Sequence, residues 1–389
     1  MVSFEDLRAF QDSFPRYGVA GNDLTIYVGW KEVYRHMSGW QNVDEQIPIS
    51  GKTLYRMYSM TKPVTVTAAM QLYEHCLFRL YDPLADYLPE FAEMQVFEKA
   101  PDGTLRTRPA KNPILIRHLF EMTAGFDYEK DSPEMRQWRA ENSEAHTLAN
   151  FTKHIAARPL QFEPGTGWLY SVAHDVLARL VEVISGMTVG EYMRKNIFDP
   201  IGMPSATYHP TPEQRKDICQ TCRLDENGRF VPNDSRLTLY VEDPKFEGGG
   251  AGLIMTVDDY AKFTAMLTHK GKAENGERIL AESTVDLIRA NRLSGSVLDD
   301  FRRLAPKSRP GYGYGLGVRT HIDRAASGSL TPVGEFGWGG VLGTYMAAIP
   351  ETNVSIVYAM QVEPDGKRPL LRPMVTSMAY AALEYEGLL

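Results

Sequence analysis

The sequence predicts an α/β protein of the α+β kind: an antiparallel sheet flanked by terminal helices, with an all-helical domain inserted in its middle. Three observations carry this reading. β-branched and aromatic runs stand near the amino end, similar runs stand near the carboxyl end, and the stretch between has helical periodicity. With 389 residues, 43% of them hydrophobic, the chain has enough apolar material for two units. The pattern nests them: 1–58 with 240–389 form the sheet-bearing unit and 59–239 the helical one, with the functional site between them.

At the amino end, Ser3 and Asp6 form a capping box. Phe4, Leu7, Phe10 and Phe14 then recur at helical spacing. Leu24 to Gly29 and Glu32 to Trp40 read as a hairpin. The run VTVTAAMQLYEHC is apolar nearly all round, which marks a buried helix. Ile116 to Gly125, Asn150 to Arg158, Ser171 to Gly186 and Thr188 to Phe198 are helical. In the third of these Val176, Leu177, Leu180, Val181 and Ile184 share a side and Gly186 is the stop. Pro101 to Pro113 and Arg302 to Pro310, rich in proline and charge, read as surface loops. Gly313 to Thr320, Gly343 to Pro350 and Asn353 to Gln361 read as strands. A last helix runs from Met374 to Glu386 behind Pro373.

Charge and motif absences narrow the function. The balance of 42 Lys+Arg against 49 Asp+Glu gives −7, and no dense basic run exists, so a nucleic-acid partner is not expected. No run of apolar residues is long enough to span a membrane. The acidic, amphipathic start MVSFEDLRAF lacks the layout of a secretory signal, and there are only 3 cysteines, so the expected compartment is cytoplasmic. Cys219 and Cys222 form a lone C-x-x-C, read as two reduced thiols, and Cys76 as packing. No serine has glycines at both −2 and +2, and H-E-x-x-H is absent. Gly51-Lys52-Thr53 resembles the end of a P-loop, but Gln46 stands where a glycine is required. The glycine runs Gly248 to Gly252 and Gly311 to Gly317 read as turns or close backbone approaches. No metal site and no cofactor is expected, and the sequence specifies no oligomeric state.

Ser59-Met60-Thr61-Lys62 is the one S-x-x-K in the chain. It falls where the first strands give way to the buried helix. A serine there lies at a helix N-terminus, where backbone N–H groups favour negative charge. A lysine three residues on shares its face of the helix, and burial fits a lysine to accept a proton. Pro63 belongs in a first helical turn but biases Lys62 away from α geometry. A capping serine beside a solvated lysine has the same spacing, so the motif needs company.

It has company in three segments that occur in order: HLFEMTAGF (His118 to Phe126), YSV (Tyr170 to Val172) directly before a helix, and GWGGVLGT (Gly337 to Thr344) opening a late strand, with GGGAGLIMTVDDYAKF from Gly248 between the last two. Together with S-x-x-K, this set resembles the serine β-lactamase and penicillin-binding-protein superfamily. Within its class C-like branch the chain is most similar to family VIII carboxylesterases and related acyltransferases, over nearly its whole length. The resemblance implies a β-lactamase-like fold, Ser59 as nucleophile, Lys62 as its proton acceptor and Tyr170 as the tyrosine of Y-x-N. It further implies an oxyanion hole from the backbone N–H of Ser59 and of Val341, the residue after the Trp338-Gly339-Gly340 triplet. The two glycines would let the strand approach the substrate closely.

Two departures from the family pattern bear on the substrate. Val172 stands where the Asn of Y-x-N would bond a substrate amide. Trp338 stands where Lys or His would meet a carboxylate. Both make the pocket more apolar, and Tyr128 is a further candidate for its lining. The expected activity is therefore hydrolysis of a small-molecule carboxylic ester through a Ser59 acyl-enzyme, with Lys62 and Tyr170 as general base and acid. Transfer to an alcohol, a β-lactamase or D,D-peptidase, and a decayed, non-enzymatic binding module are the alternatives. His118 and His174 are assigned to packing.

Overall fold

The computed structural model describes residues 2–128, 137–138, 141, 146–233, 245–305, 310–363 and 371–389. From the amino end, α1 (Phe4–Asp12) leads into β1 (Gly21–Val28), β2 (Lys31–Asn42) and β3 (Ile47–Pro48). The helices that follow include α2 (Thr61–Glu74), α3 (Ile116–Glu121), α4 (Leu148–Ala156), α5 (Ala173–Ser185), α6 (Val189–Met193) and α7 (Val257–Thr268). The chain then returns to the sheet with β4 (Tyr312–Tyr314), β5 (Arg319–His321), β6 (Phe336–Gly337), β7 (Tyr345–Ile349) and β8 (Val354–Met360), and closes with α8 (Leu371–Tyr385).

The sheet runs β4-β5-β6-β7-β8-β1-β2-β3, antiparallel throughout. Its seam is the pairing of β1 with β8, in register from Asn22↔Met360 to Val28↔Val354. The two ends of the chain thus build one sheet, as the strand-like runs at both termini predict. Side chains alternate between its faces. Ala347, Ile349, Val354, Ile356 and Tyr358 pack against Leu7 and Phe14 from the amino end and Val375, Ala379 and Leu383 of α8. Met346, Ala348, Val357 and Ala359 turn the other way, into the large core shared with α7, α2 and α5. Every residue of β8 is buried, so its sequence lacks the apolar–polar alternation of a half-exposed strand.

Local signals account for the boundaries. Ser3 caps α1 in a reciprocal box with Asp6. Gly186 ends α5 in the left-handed conformation, φ 71°. Met122 ends α3 early, also left-handed at φ 58°, so the expected helix to Gly125 stops after one and a half turns. Residues Arg194–Phe198 continue α6 as a π-helical turn. Pro63 is the third residue of α2, where its missing N–H breaks no helical bond, so Lys62 is helical after all.

Three expectations need correction. The insert is not purely helical: Gln95–Lys99 pairs with Leu105–Pro109, and Cys222–Leu224 with Phe230–Pro232. The first ribbon falls in the Pro101–Pro113 stretch read as a loop, because its charged residues lie on exposed strands. The expected strand Gly313 to Thr320 is two strands, β4 and β5. The chain reverses at Gly315 and Gly317, where a Cβ on Gly315 would strike the Ile288 carbonyl and Gly317 is left-handed. Arg302 to Leu304 complete a helix that begins at Gly295; 306–309, and the expected unit boundary at 240, lie outside the described residues. No helix among the described residues is long and apolar enough to cross a membrane.

His118 of α3 and His174 of α5 are both buried. His118 Nδ1 accepts the Leu115 amide at 3.1 Å, and His174 Nε2 lies 3.4 Å from the Phe120 carbonyl. Burial, aided by Arg117 and Lys62 respectively, pushes both down from 6.5 to about 3. Unfolded, they titrate at their ordinary value, so the unfolded chain binds more protons between these limits. The stability they contribute is complete above pH 6.5 and is lost as pH falls toward 3. We expect the urea midpoint to fall across this window. His174→Gln should reduce the protons taken up on unfolding near pH 5 by about one, read from the slope of unfolding free energy against pH.

Candidate active site

Ser59 is carried by a segment held on one side by the backbone. Tyr55–Arg56 pairs with Ile254–Met255, and the Met57 amide donates to Leu253 O at 2.9 Å. Tyr58 then adopts φ 47°, an unfavourable conformation for a bulky residue that burial maintains. Ser59 lies in the single 3₁₀ turn Tyr58–Met60, directly before α2. Its residue surface is only 8% exposed.

Lys62, the second residue of α2 and one turn past Ser59, is fully buried at 0% exposure. Its Nζ donates to Ser59 Oγ at 3.2 Å and to the Gly250 carbonyl at 2.5 Å. Gly250 is itself fixed, because its N–H donates to the buried carboxylate of Asp175 at 2.9 Å. The glycine run provides the room for this. A Cβ at Gly249 would strike the His174 carbonyl and lie 2.5 Å from Ala178 Cβ, and one at Gly250 would sit 3.3 Å from Lys62 Nζ. The reading of this run as a close backbone approach is therefore correct.

Tyr170 precedes α5 on a segment pinned on both sides: Leu169 N–H donates to Met122 O at 3.1 Å and Val172 N–H to Asp127 O at 3.2 Å. Its hydroxyl donates to Ser59 Oγ at 2.7 Å. Lys62 Nζ lies 4.8 Å from the centre of the Tyr170 ring and 5.8 Å from that of Tyr128. The ring is clamped among aromatics, stacked on Trp338 at 5.7 Å and tilted against Tyr128 at 5.4 Å. Tyr314 packs edge-on to Trp338 and to Trp168.

The third segment follows β6. Trp338 Nε1 donates to the Tyr170 hydroxyl at 3.3 Å. An indole N–H can only donate. The Tyr170 oxygen must therefore accept it, which leaves the phenolic proton for Ser59 Oγ. The two glycines also face close neighbours. A Cβ on Gly339 would lie 2.7 Å from Arg372 Nη1, and one on Gly340 would lie 2.5 Å from Met57 O. They leave room for the Arg372 side chain and for the backbone before the serine. The Val341 residue is 37% exposed. Among the described residues neither its amide nor that of Ser59 donates a backbone hydrogen bond.

The structure thus gathers Ser59, Lys62, Tyr170, Trp338 and Tyr128 into one cluster. Val172, at the start of α5, and Trp338 are each 2% exposed and pack within the main core. Sequence reasoning missed Asp175, Tyr314, Trp168 and Arg372. Asp175 had a weak signal, a carboxylate one turn past Tyr170 on an otherwise apolar helical face. Trp168, two residues before Tyr170, stands in no motif, and Tyr314 and Arg372 meet the site only through long-range packing.

These features bring a serine, a lysine and a tyrosine together beside an antiparallel sheet with an insert, and the chain belongs to the Beta-lactamase family, whose pattern it matches over residues 5–376. It is 31% identical over 339 residues to Protein Rv1367c of Mycobacterium tuberculosis, covering 84% of this chain and 82% of that one. It is 29% identical over 292 residues to Lovastatin esterase of Penicillium rubens, covering 72% of this chain and 71% of that one. Among solved structures, EstCE1, described as a hydrolase with promiscuous acyltransferase activity, superposes with a TM-score of 0.79 at 22% identity, over 97% of each chain. That likeness establishes the β-lactamase-like fold. The chain is an enzyme of the hydrolase or acyltransferase kind.

The Trp338–Tyr170 bond has a measurable consequence. Trp338→Phe keeps a stacking ring and removes the donor. One such bond contributes about 1 kcal/mol, so phosphonylation of Ser59 by an aryl phosphonate should slow about fivefold. An unchanged labelling rate would show that the ring alone positions Tyr170.

Proposed function

We propose that the chain is a serine carboxylesterase working through a Ser59 acyl-enzyme. The observation that carries this is the convergence of Lys62 Nζ and Tyr170 OH on Ser59 Oγ, at 3.2 and 2.7 Å. Ser59 Oγ attacks the ester carbonyl carbon while its proton passes to the Lys62–Tyr170 pair. The carbonyl oxygen, now negative, is held by the N–H groups of Ser59 and Val341. The C–O bond breaks, and the departing alcohol takes the proton from the pair. Water then attacks the acyl-Ser59 carbonyl, giving up a proton to the same pair, and Ser59 recovers it as the acid leaves.

Trp338 supports an uncharged acyl or alkyl group at the subsite beside Tyr170. It supplies a hydrogen-bond donor where a cation would select a carboxylate. Lovastatin esterase, at 29% identity, supports ester cleavage. A second reading, transfer of the acyl group to an alcohol, is favoured by the description of EstCE1. The two share every step up to the acyl-enzyme and differ only in what attacks it.

The test uses short-chain p-nitrophenyl esters and a chromogenic cephalosporin, with and without added alcohol. Ser59→Ala should lower ester kcat/KM by about 10⁴-fold or more, since removing the nucleophile of such a unit removes most of its catalysis. Cephalosporin turnover should be weak or absent. New ester formed from the added alcohol would establish transfer. Equal ester turnover by Ser59→Ala would refute the mechanism, and fast cephalosporin turnover with little esterase activity would refute the substrate reading.

A further inference from the structure

Arg372 is a cation in a position that two physical effects oppose. It is heavily shielded, and burial draws its guanidinium down to about 10, with Arg319 adding repulsion. Among the described residues no carboxylate pairs with it. The groups that favour its charge are the phenols of Tyr345, Tyr358 and Tyr170. It stays charged at neutral pH. The neighbouring Arg319 differs in this respect, since it is paired with the buried Glu335 and also donates to the Tyr345 hydroxyl.

What Arg372 does touch is the Trp338-Gly339-Gly340 segment. Its Nη2 donates to the Gly340 carbonyl, which also accepts the Gly343 amide at 3.2 Å. That carbonyl belongs to the peptide unit whose N–H is that of Val341. In a trans peptide the two point in opposite directions, and a cation on the oxygen draws electrons from the nitrogen. The donor is thereby aimed away from α8 and made stronger. The same turn is fixed from the front. Gly340 N–H donates to Thr344 O at 2.8 Å, and Thr344 Oγ1 donates to Met57 O, two residues before Ser59, at 3.1 Å. Gly339 is the residue that leaves room for the guanidinium.

We infer that Arg372 is a positioning residue of the oxyanion hole, acting through the Gly340–Val341 peptide and not by contact with substrate. The inference rests on the proposed esterase reading and deepens it. Arg372 should matter when negative charge develops on the substrate oxygen and much less when substrate binds.

The test compares the wild-type protein with Arg372→Ala and Arg372→Lys in three measurements. The first is the rate at which an aryl phosphonate labels Ser59, which needs the oxyanion donors but no knowledge of the natural ester. Arg372→Ala should label about tenfold more slowly, a fraction of the effect of deleting a donor outright. The second is the split between kcat and KM on a p-nitrophenyl ester and its thiono analogue, whose sulfur is a poor hydrogen-bond acceptor. In Arg372→Ala kcat should fall with KM little changed, and the preference for ester over thionoester should shrink. The third is rescue: free guanidinium at sub-denaturing concentration should restore part of the rate to Arg372→Ala. Arg372→Lys, which keeps charge without the fork, should be intermediate, and it preserves the test if the alanine variant folds poorly. Wild-type labelling with equal labelling of both variants would overturn the role of Arg372 alone. Equal losses on ester and thionoester without rescue would reduce it to a structural residue. No labelling of the wild type at all would overturn the serine-hydrolase reading itself.

Discussion

The site depends on the burial of one lysine. Lys62 has no exposed surface, and an ammonium or amine taken out of water must have its protons placed. The Gly250 carbonyl takes one of them and Ser59 Oγ another. Meeting that demand determines a surprising amount of the structure around it. Gly250 reaches the lysine because Gly248, Gly249 and Gly250 have no Cβ to keep them off α5, and it is oriented by the carboxylate of Asp175 on that helix. The contact that satisfies Lys62 therefore also sets α5 against α2. Tyr170, on the approach to α5, is brought to Ser59 by the same packing.

A second constraint brings the sheet to this arrangement. The pairing of β1 with β8 makes one sheet of the two chain ends, and β6 with β7 delivers Trp338 and the turn after it. The contact between the units is made by hydrogen bonds as well as apolar packing. Thr344 holds the carbonyl of Met57, and Trp338 holds the hydroxyl of Tyr170. Ser59 thus meets Lys62 and Tyr170 from the helical side, while Thr344 of the sheet side ties down Met57 just before it. Tyr58, strained at φ 47°, lies between them, where the requirements of both sides meet in one residue.

What the sequence made legible follows the range of the interaction. Ser59 and Lys62 are three apart, one helical turn, so their meeting could be read from spacing. The Ser3–Asp6 box and the Gly186 stop are equally local. Tyr170 and Trp338 were legible only through the resemblance of their motifs to a known family. The Lys62–Gly250 bond spans 188 residues and the Arg372–Gly340 bond 32, and no periodicity encodes either. The errors are physical in the same way. Leu105–Pro109 was read as part of a loop because a strand with nearly every residue exposed has no core face to create a pattern.

Trp338 also changes what the loss of a motif cation means. Read from the sequence, the substitution removes a positive charge from the pocket. In the structure it removes the charge but keeps the donor, now spent on the Tyr170 oxygen and not on a substrate carboxylate. The positive charge of this region lies on Arg372, behind the strand, where it reaches the Gly340 carbonyl. A cation in front of the strand would stabilise an anionic substrate in its ground state as well as its transition state. One behind it, acting through a peptide, works most strongly on charge that appears at the Val341 N–H during reaction. Interactions of the second kind raise the rate of the chemical step, whereas those of the first chiefly tighten binding. On the proposed esterase reading, the pocket selects its substrate by apolar shape and reserves the charge of Arg372 for the oxyanion.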